Sequence, residues 1–164
     1  MEVLTRIEVK SKVKELKAAG KKIVFTNGCF DIIHQGHTTY LSAAGASGDF
    51  LIIGLNSDTS VSQLKGPGRP VNGEVQRAAN LLALSYVDAV TIFSEKTPKK
   101  LIDEIRPHIL VKGGDYDVNQ VVGADRVRAD GGEVVILPFV PGFSTTKTIE
   151  NQVQKGLTEE ETSN

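Results

Sequence analysis

Ile23-Val24-Phe25-Thr26-Asn27-Gly28-Cys29-Phe30-Asp31-Ile32-Ile33-His34-Gln35-Gly36-His37 decides how this chain folds. The apolar run Ile23–Phe25 reads as a buried strand, and Tyr40-Leu41-Ser42-Ala43-Ala44 beyond it reads as helix. A glycine turn that leaves a strand's carboxyl end and opens into a helix is where open α/β sheets bind ligands. His34 and His37 stand three apart at the helix start, so they share one face beside its partly positive end. That combination describes an anion site, with nucleotide phosphates as the natural occupant.

Outward from this turn, apolar runs recur at 22–27, 50–56, 87–93, 108–112 and 133–138. They are short and lack strict alternation, as parallel strands covered on both faces do. Helical stretches at 36–46, 74–85, 97–105 and 123–130 separate them. The alternation predicts a Rossmann-like, doubly wound α/β fold, with a five-stranded parallel sheet and helices on both faces. Residues 1–164 form a single domain in this reading. An amphipathic helix lies within 1–20 and stops at Gly20, a further helix begins near Ser144, and 156–164 is a mobile acidic tail. Seven lysines and arginines precede residue 23, but Glu2, Glu8 and Glu15 are interleaved with them, which describes a solvated face.

Charge and composition exclude several functions. The formal net charge is −1, so bulk charge does not draw the chain to nucleic acid or to an anionic membrane. No stretch of about 18 apolar residues exists to span a bilayer. The start lacks an apolar signal core, and Cys29 is the lone cysteine, which agrees with a reducing cytoplasm. The P-loop, the Gly-x-Gly-x-x-Gly fingerprint and the Gly-x-Ser-x-Gly elbow are all absent from the sequence.

The candidate chemistry is transfer at a nucleotide α-phosphorus. Charge then builds on non-bridging oxygens and on departing pyrophosphate, and fixed imidazole donors stabilise that state more than the ground state. A phosphate nucleophile is already ionised near neutral pH, so no general base is needed. Against this stands the plainer reading that each histidine caps or packs. A zinc site is a further alternative, with Cys29 and Asp31 as extra ligands, although the i, i+3 spacing lacks the intervening glutamate of zincins. Asp31 either N-caps the helix or helps hold Mg²⁺. Lys65, Arg69 and Arg77 are candidate phosphate clamps, the first two in a glycine-rich loop. Asn56-Ser57-Asp58 ends the second strand as a cap or a ligand contact. Lys112-Gly113-Gly114-Asp115-Tyr116 lets backbone lie against a base or ribose. Ser144-Thr145-Thr146 offers hydroxyls and free amides at a helix start.

Together these segments resemble the cytidylyltransferase-like superfamily of nucleotidyltransferases. The hallmarks are Gly-x-Phe-Asp…His-x-Gly-His, matched by Gly28 through His37, and a Ser-Ser/Thr-Thr helix start, matched by Ser144–Thr146. More closely, Thr26–Asp31, Asn56–Asp58, Lys65-Gly66, Arg69–Asn72, Val111–Tyr116 and Gly131–Val134 resemble the D-glycero-β-D-manno-heptose 1-phosphate adenylyltransferases. Members of that family are often the C-terminal half of a bifunctional ADP-heptose synthase. The resemblance implies that ATP and heptose 1-phosphate give ADP-heptose and pyrophosphate, with Mg²⁺, for the lipopolysaccharide core. It implies catalytic roles for His34, His37 and Lys65. It places Asn27, Gly28, Cys29, Phe30, Gly36, Lys112, Gly113, Asp115, Ser144, Thr145 and Thr146 against the nucleotide, and Asp31, Asn56, Asp58, Arg69 and Arg77 against the sugar phosphate. It also implies a homodimer and, as no sugar-kinase domain is present here, dependence on a separate heptose 7-phosphate kinase. Phe139 and Ile149 stand where several superfamily members carry arginine, which suits the heptose branch better than a cytidylyltransferase. The alternatives are a cytidylyltransferase acting on an alditol or aminoalcohol phosphate, and a nucleotide-binding module without turnover.

Overall fold

The structure, a computed structural model, describes residues 2–114 and 117–138. The expected α/β architecture is present, with one more strand than anticipated. Strands β1 (Glu2–Val3), β2 (Ile23–Gly28), β3 (Phe50–Asn56), β4 (Ala89–Phe93), β5 (Ile109–Gly113) and β6 (Glu133–Leu137) form one sheet. Its order is β1-β4-β3-β2-β5-β6, and every described pairing is parallel. The two-residue β1 is too short for any pattern to register. It exists because Glu2 and Val3 align with Ala89 and Val90 on the open edge of β4.

The helices are α1 (Arg6–Ala18), α2 (Gln35–Ala46), α3 (Asp58–Lys65), α4 (Glu74–Leu82), α5 (Lys99–Ile105) and α6 (Ala124–Ala129). A short 3-10 turn covers Val118–Gln120. Helix α3 was not among the expected helical stretches, because Asp58-Thr59-Ser60-Val61-Ser62-Gln63 offers almost no apolar stripe. Ser57 starts it by accepting from the Ser60 amide, so Ser57 is the cap at this strand end. The helix expected near Ser144 and the tail at 156–164 lie outside the described residues.

Alternate residues of each strand face opposite layers. On one face Phe25, Ile52, Phe93 and Leu110 pack with Val9 and Val13 of α1, Ile102 of α5 and Val127 of α6. On the other, Val24, Ile53, Leu55 and Val111 pack with Tyr40 and Leu41 of α2 and Leu81 of α4. Two apolar layers therefore fix the register of the central strands, since a one-residue slip would exchange the two faces. With β2 central and the chain crossing from the β3 side to the β5 side, the carboxyl ends of β2 and β5 bound the crevice where such sheets bind ligands.

Candidate active site

The turn after β2 is tightly built. Phe30 sits fully buried at φ 46, in the left-handed region where a side chain is strained. Its ring meets His37 edge-on at 5.3 Å and stacks on Tyr40 at 6.5 Å. Those contacts hold the strained backbone and aim the chain into α2. The residue that caps α2 is His34, not Asp31, which corrects one expectation.

Both histidines do cap, as the plainer alternative held, and the way they cap serves the site. The Gly36 amide donates to His34 Nδ1 at 3.1 Å, and the His34 amide donates to His37 Nδ1 at 3.3 Å. A neutral imidazole whose Nδ1 accepts must carry its proton on Nε2. The capping bonds thus set both tautomers and turn each Nε2 into a donor. The rings stack 3.9 Å apart. Burial, followed by the neighbouring His34, pushes His37 down to about 3, so it is a neutral donor across the physiological range. The first turn of α2 contains no acidic residue to offset its positive end.

A cleft of about 260 Å³ opens beside this turn, lined by Asn27, Cys29, Asn56, Lys65, Lys96 and Lys112 among others. A side pocket of about 110 Å³ shares Asn27 and Lys112 and reaches Gln120. Lys65 ends α3 and is not in the loop where it was expected; Gly66 caps it at φ 100. Lys112, on β5, is held down to about 8, mainly by burial and then by repulsion from Lys65, while Cys29 opposes the shift. Sequence reasoning missed Lys96 and Pro98. The available signal was their position just beyond the carboxyl end of β4, on the same rim.

Four of the five residues expected at the sugar phosphate form a scaffold behind the cleft. Asp31 is buried, and its carboxylate accepts from Arg69 Nε at 3.1 Å and from the Val71 and Asn72 amides at 2.8 Å each. Arg77 is fully buried. Its guanidinium donates to the carbonyls of Asn72, Cys29 and Asn56 and to Asp58 Oδ1, each at 2.8 Å. One side chain therefore ties the turn after β2, the end of β3, the start of α3 and the 69–72 loop together. A guanidinium so committed is a strut, and the expected ligand contact for Arg77 gives way to that role. Asn56 does line the cleft, and its Nδ2 donates to Ser60 Oγ at 2.7 Å. Gly28, Cys29, Gly36, Phe30 and Gly113 sit at the carboxyl rim with the histidines. Asp115, Ser144, Thr145 and Thr146 lie outside the described residues. Among the described residues no group of three or more His, Cys, Asp or Glu side chains could hold a metal ion. No described helix is long and apolar enough to cross a membrane.

Comparison with known proteins matches this arrangement. The chain is 55% identical over 144 residues to Bifunctional protein HldE of Pseudomonas paraeruginosa (strain DSM 24068 / PA7), covering 88% of this chain and 30% of that one. It is 56% identical over 138 residues to Bifunctional protein HldE of Azotobacter vinelandii, covering 84% and 29%. The chain thus spans less than a third of the length of these relatives. A lipopolysaccharide core biosynthesis protein from Thermoplasma volcanium superposes with a TM-score of 0.60 at 27% identity, over 74% of this chain and 98% of that one. A pantoate–β-alanine ligase from Francisella tularensis shares the fold, with a TM-score of 0.61 at 17% identity over 94% and 80%. Residues 25–151 match the cytidylyltransferase-like family model, from the strand that feeds the histidine turn onward. With that span, the chain belongs to the cytidylyltransferase-like family.

Proposed function

We propose that the protein is an adenylyltransferase that joins ATP to D-glycero-β-D-manno-heptose 1-phosphate, releasing pyrophosphate and forming ADP-heptose for the lipopolysaccharide core. The observation that carries this is the stacked His34–His37 pair, locked as two Nε2 donors at the start of α2, on the turn whose Gly28 and Cys29 line a lysine-bearing cleft. The sequence shared with the HldE proteins and the likeness to the Thermoplasma lipopolysaccharide core biosynthesis protein support the choice of sugar.

In this mechanism an oxygen of the sugar phosphate attacks the α-phosphorus of ATP. A new P–O bond forms as the bond from the α-phosphorus to the bridging oxygen breaks, and pyrophosphate leaves. The imidazole N–H groups and the partly positive start of α2 stabilise the charge that grows on the phosphates. Lys65 and Lys112 neutralise the two substrates as they approach. Asn56 lines the pocket for the second substrate, while Asp31 and Arg77 keep its walls in register. Mg²⁺ enters as part of the Mg·ATP substrate, bound mainly through phosphates and water as that ion prefers. The sugar 1-phosphate is supplied by a kinase step, and the chain pairs as a homodimer in the cytoplasm.

The test is pyrophosphate release from purified protein with four nucleoside triphosphates crossed against several sugar and alditol phosphates. ATP with heptose 1-phosphate should give the highest kcat/KM. His34→Ala and His37→Ala should each lower kcat by roughly 100- to 1000-fold, the usual effect of removing a transition-state donor. Preference for CTP and an alditol phosphate would move the assignment to a cytidylyltransferase. ATP binding without pyrophosphate release on any pairing would replace it with a binding module.

A further inference from the structure

At the opposite rim, where β2, β5 and β6 begin, lies a cavity of about 440 Å³ that the proposed reaction does not use. Lys17, Lys22, Arg106 and His108 line it, opposed by Asp130 and Glu133. They come from separate segments: the last turn of α1, the turn before β2, the α5–β5 turn and the α6–β6 turn.

Three features show a converging donor set. Arg106 is a non-glycine residue at φ 52, a backbone state that normally falls to glycine, and it holds Asp130 through Nε at 3.0 Å and through Nη2. The remaining N–H groups of its guanidinium have no acceptor among the described residues. His108 Nδ1 accepts from the Ile23 amide at 2.9 Å, which leaves its proton on Nε2 as a donor. Lys17 gives its ammonium to the carbonyls of Ile105 and Arg106, at 3.4 and 2.6 Å, while Lys22 makes no ion pair among the described residues. Burial, and after it the charges of Lys17 and Lys22, disfavour the charged form of His108. Beside them Gly131, at φ 82, would meet nothing within 4 Å if it carried a Cβ, so the floor is open.

We propose that this amino-rim cavity binds a small phosphorylated polyanion, gripped by Lys22, Arg106 and the Nε2–H of His108. In the unliganded protein Asp130 serves as a resident counterion for Arg106, and the ligand's oxygens compete with it. The volume suits a compact ligand of this kind.

Backbone-resolved NMR of the full chain, titrated with inorganic pyrophosphate, tests it. Two separate sets of shifts are expected, one around His34–His37 and one around His108 and Gly131–Gly132. Lys22→Gln combined with Arg106→Gly should weaken the second set at least tenfold and leave the first alone. Glycine is the favoured residue at this φ, so the variant should melt no lower than the parent, which separates lost binding from lost folding. Arg106→Lys should restore part of the affinity. An absent second set, or one that survives in the double variant, overturns the proposal. Saturation of this rim by an acidic peptide but not by pyrophosphate also overturns it, in favour of a protein partner.

Discussion

At the carboxyl rim of the sheet, α2 begins, its first amides taken up by the His34 ring and with no carboxylate in its first turn. At the amino rim, α1, α5 and α6 end, and the partly negative end of α5 is met by the Lys17 ammonium on the carbonyls of Ile105 and Arg106. Cations behave differently in the two places. The carboxyl rim adds Lys65, Lys96 and Lys112 to a helix start and neutral imidazoles that already favour an anion. At the amino rim part of the positive charge is consumed locally, Lys17 on the carbonyls that end α5 and Arg106 on Asp130. A parallel α/β sheet is thus electrically polarised by its own topology. Catalysis of phosphate transfer belongs on the carboxyl side, and an anion site on the other side must be assembled from side chains.

The largest effect should come from the strut beneath the carboxyl rim. Arg77→Met removes four hydrogen bonds of 2.8 Å and leaves the carbonyls of Cys29, Asn56 and Asn72 without that donor. It should destabilise the fold by about 3 kcal/mol or more, measured by urea unfolding. A loss below about 1 kcal/mol would show that the rim tolerates loosening and that its rigidity is not built by this side chain.

His37 offers the next test, and its sign is definite. Its folded value of about 3 lies below the ordinary 6.5, so the unfolded chain binds more protons between those values. Stability should therefore fall as pH drops from about 6.5 toward 3, by on the order of 2–4 kcal/mol for this group. His37→Asn keeps an acceptor for the His34 amide and lacks the titration. Unfolding measured from pH 7 to pH 4 should lose less stability in that variant than in the parent, and parallel curves would refute a buried neutral imidazole.

Much of this contrast was visible in the amino-acid order. The strand runs at 50–56 and 108–112 are apolar enough on both faces to announce a parallel sheet, and the histidine spacing pointed to the start of α2, where both rings cap the helix. What stayed hidden depended on partners distant along the chain. Arg77 reads as a candidate phosphate clamp on a helix, yet it is fully buried, because three carbonyls 5, 21 and 48 residues away meet at its guanidinium. Asp31 sits where a helix cap belongs, but the 69–72 loop folds over it and takes both oxygens. Strand β1 has two residues, and α3 is too polar to show a stripe.

Lys112 separates stability from function at the carboxyl rim. Its folded value of about 8 lies below 10.5, so the unfolded chain holds the extra proton between those values and stability should rise with pH across that window. At pH 7 the buried ammonium costs the fold about 1–3 kcal/mol. Lys112→Met should therefore stabilise the protein at pH 7, with the gain vanishing near pH 10.5, while the KM for ATP rises. In the parent, that KM should climb as pH passes 8 and the ammonium is lost. A variant that is less stable at pH 7 would mean the cation is fully compensated in the folded protein.

The smallest effect concerns the other rim. If the ends of α5 and its neighbours draw cations inward, Lys17→Met should cost about 0.5–1 kcal/mol, the worth of one helix-terminal cation with its hydrogen bonds. The loss should shrink in 1 M salt only to the extent that the carbonyl contacts are exposed. Methionine keeps most of the aliphatic stem, so packing is nearly preserved and the difference reports the ammonium. No loss at low salt would mean that Lys17 is not needed to cap α5. Its charge would then be fully available to the cavity, and the electrical asymmetry between the two rims would be weaker than the helix directions imply.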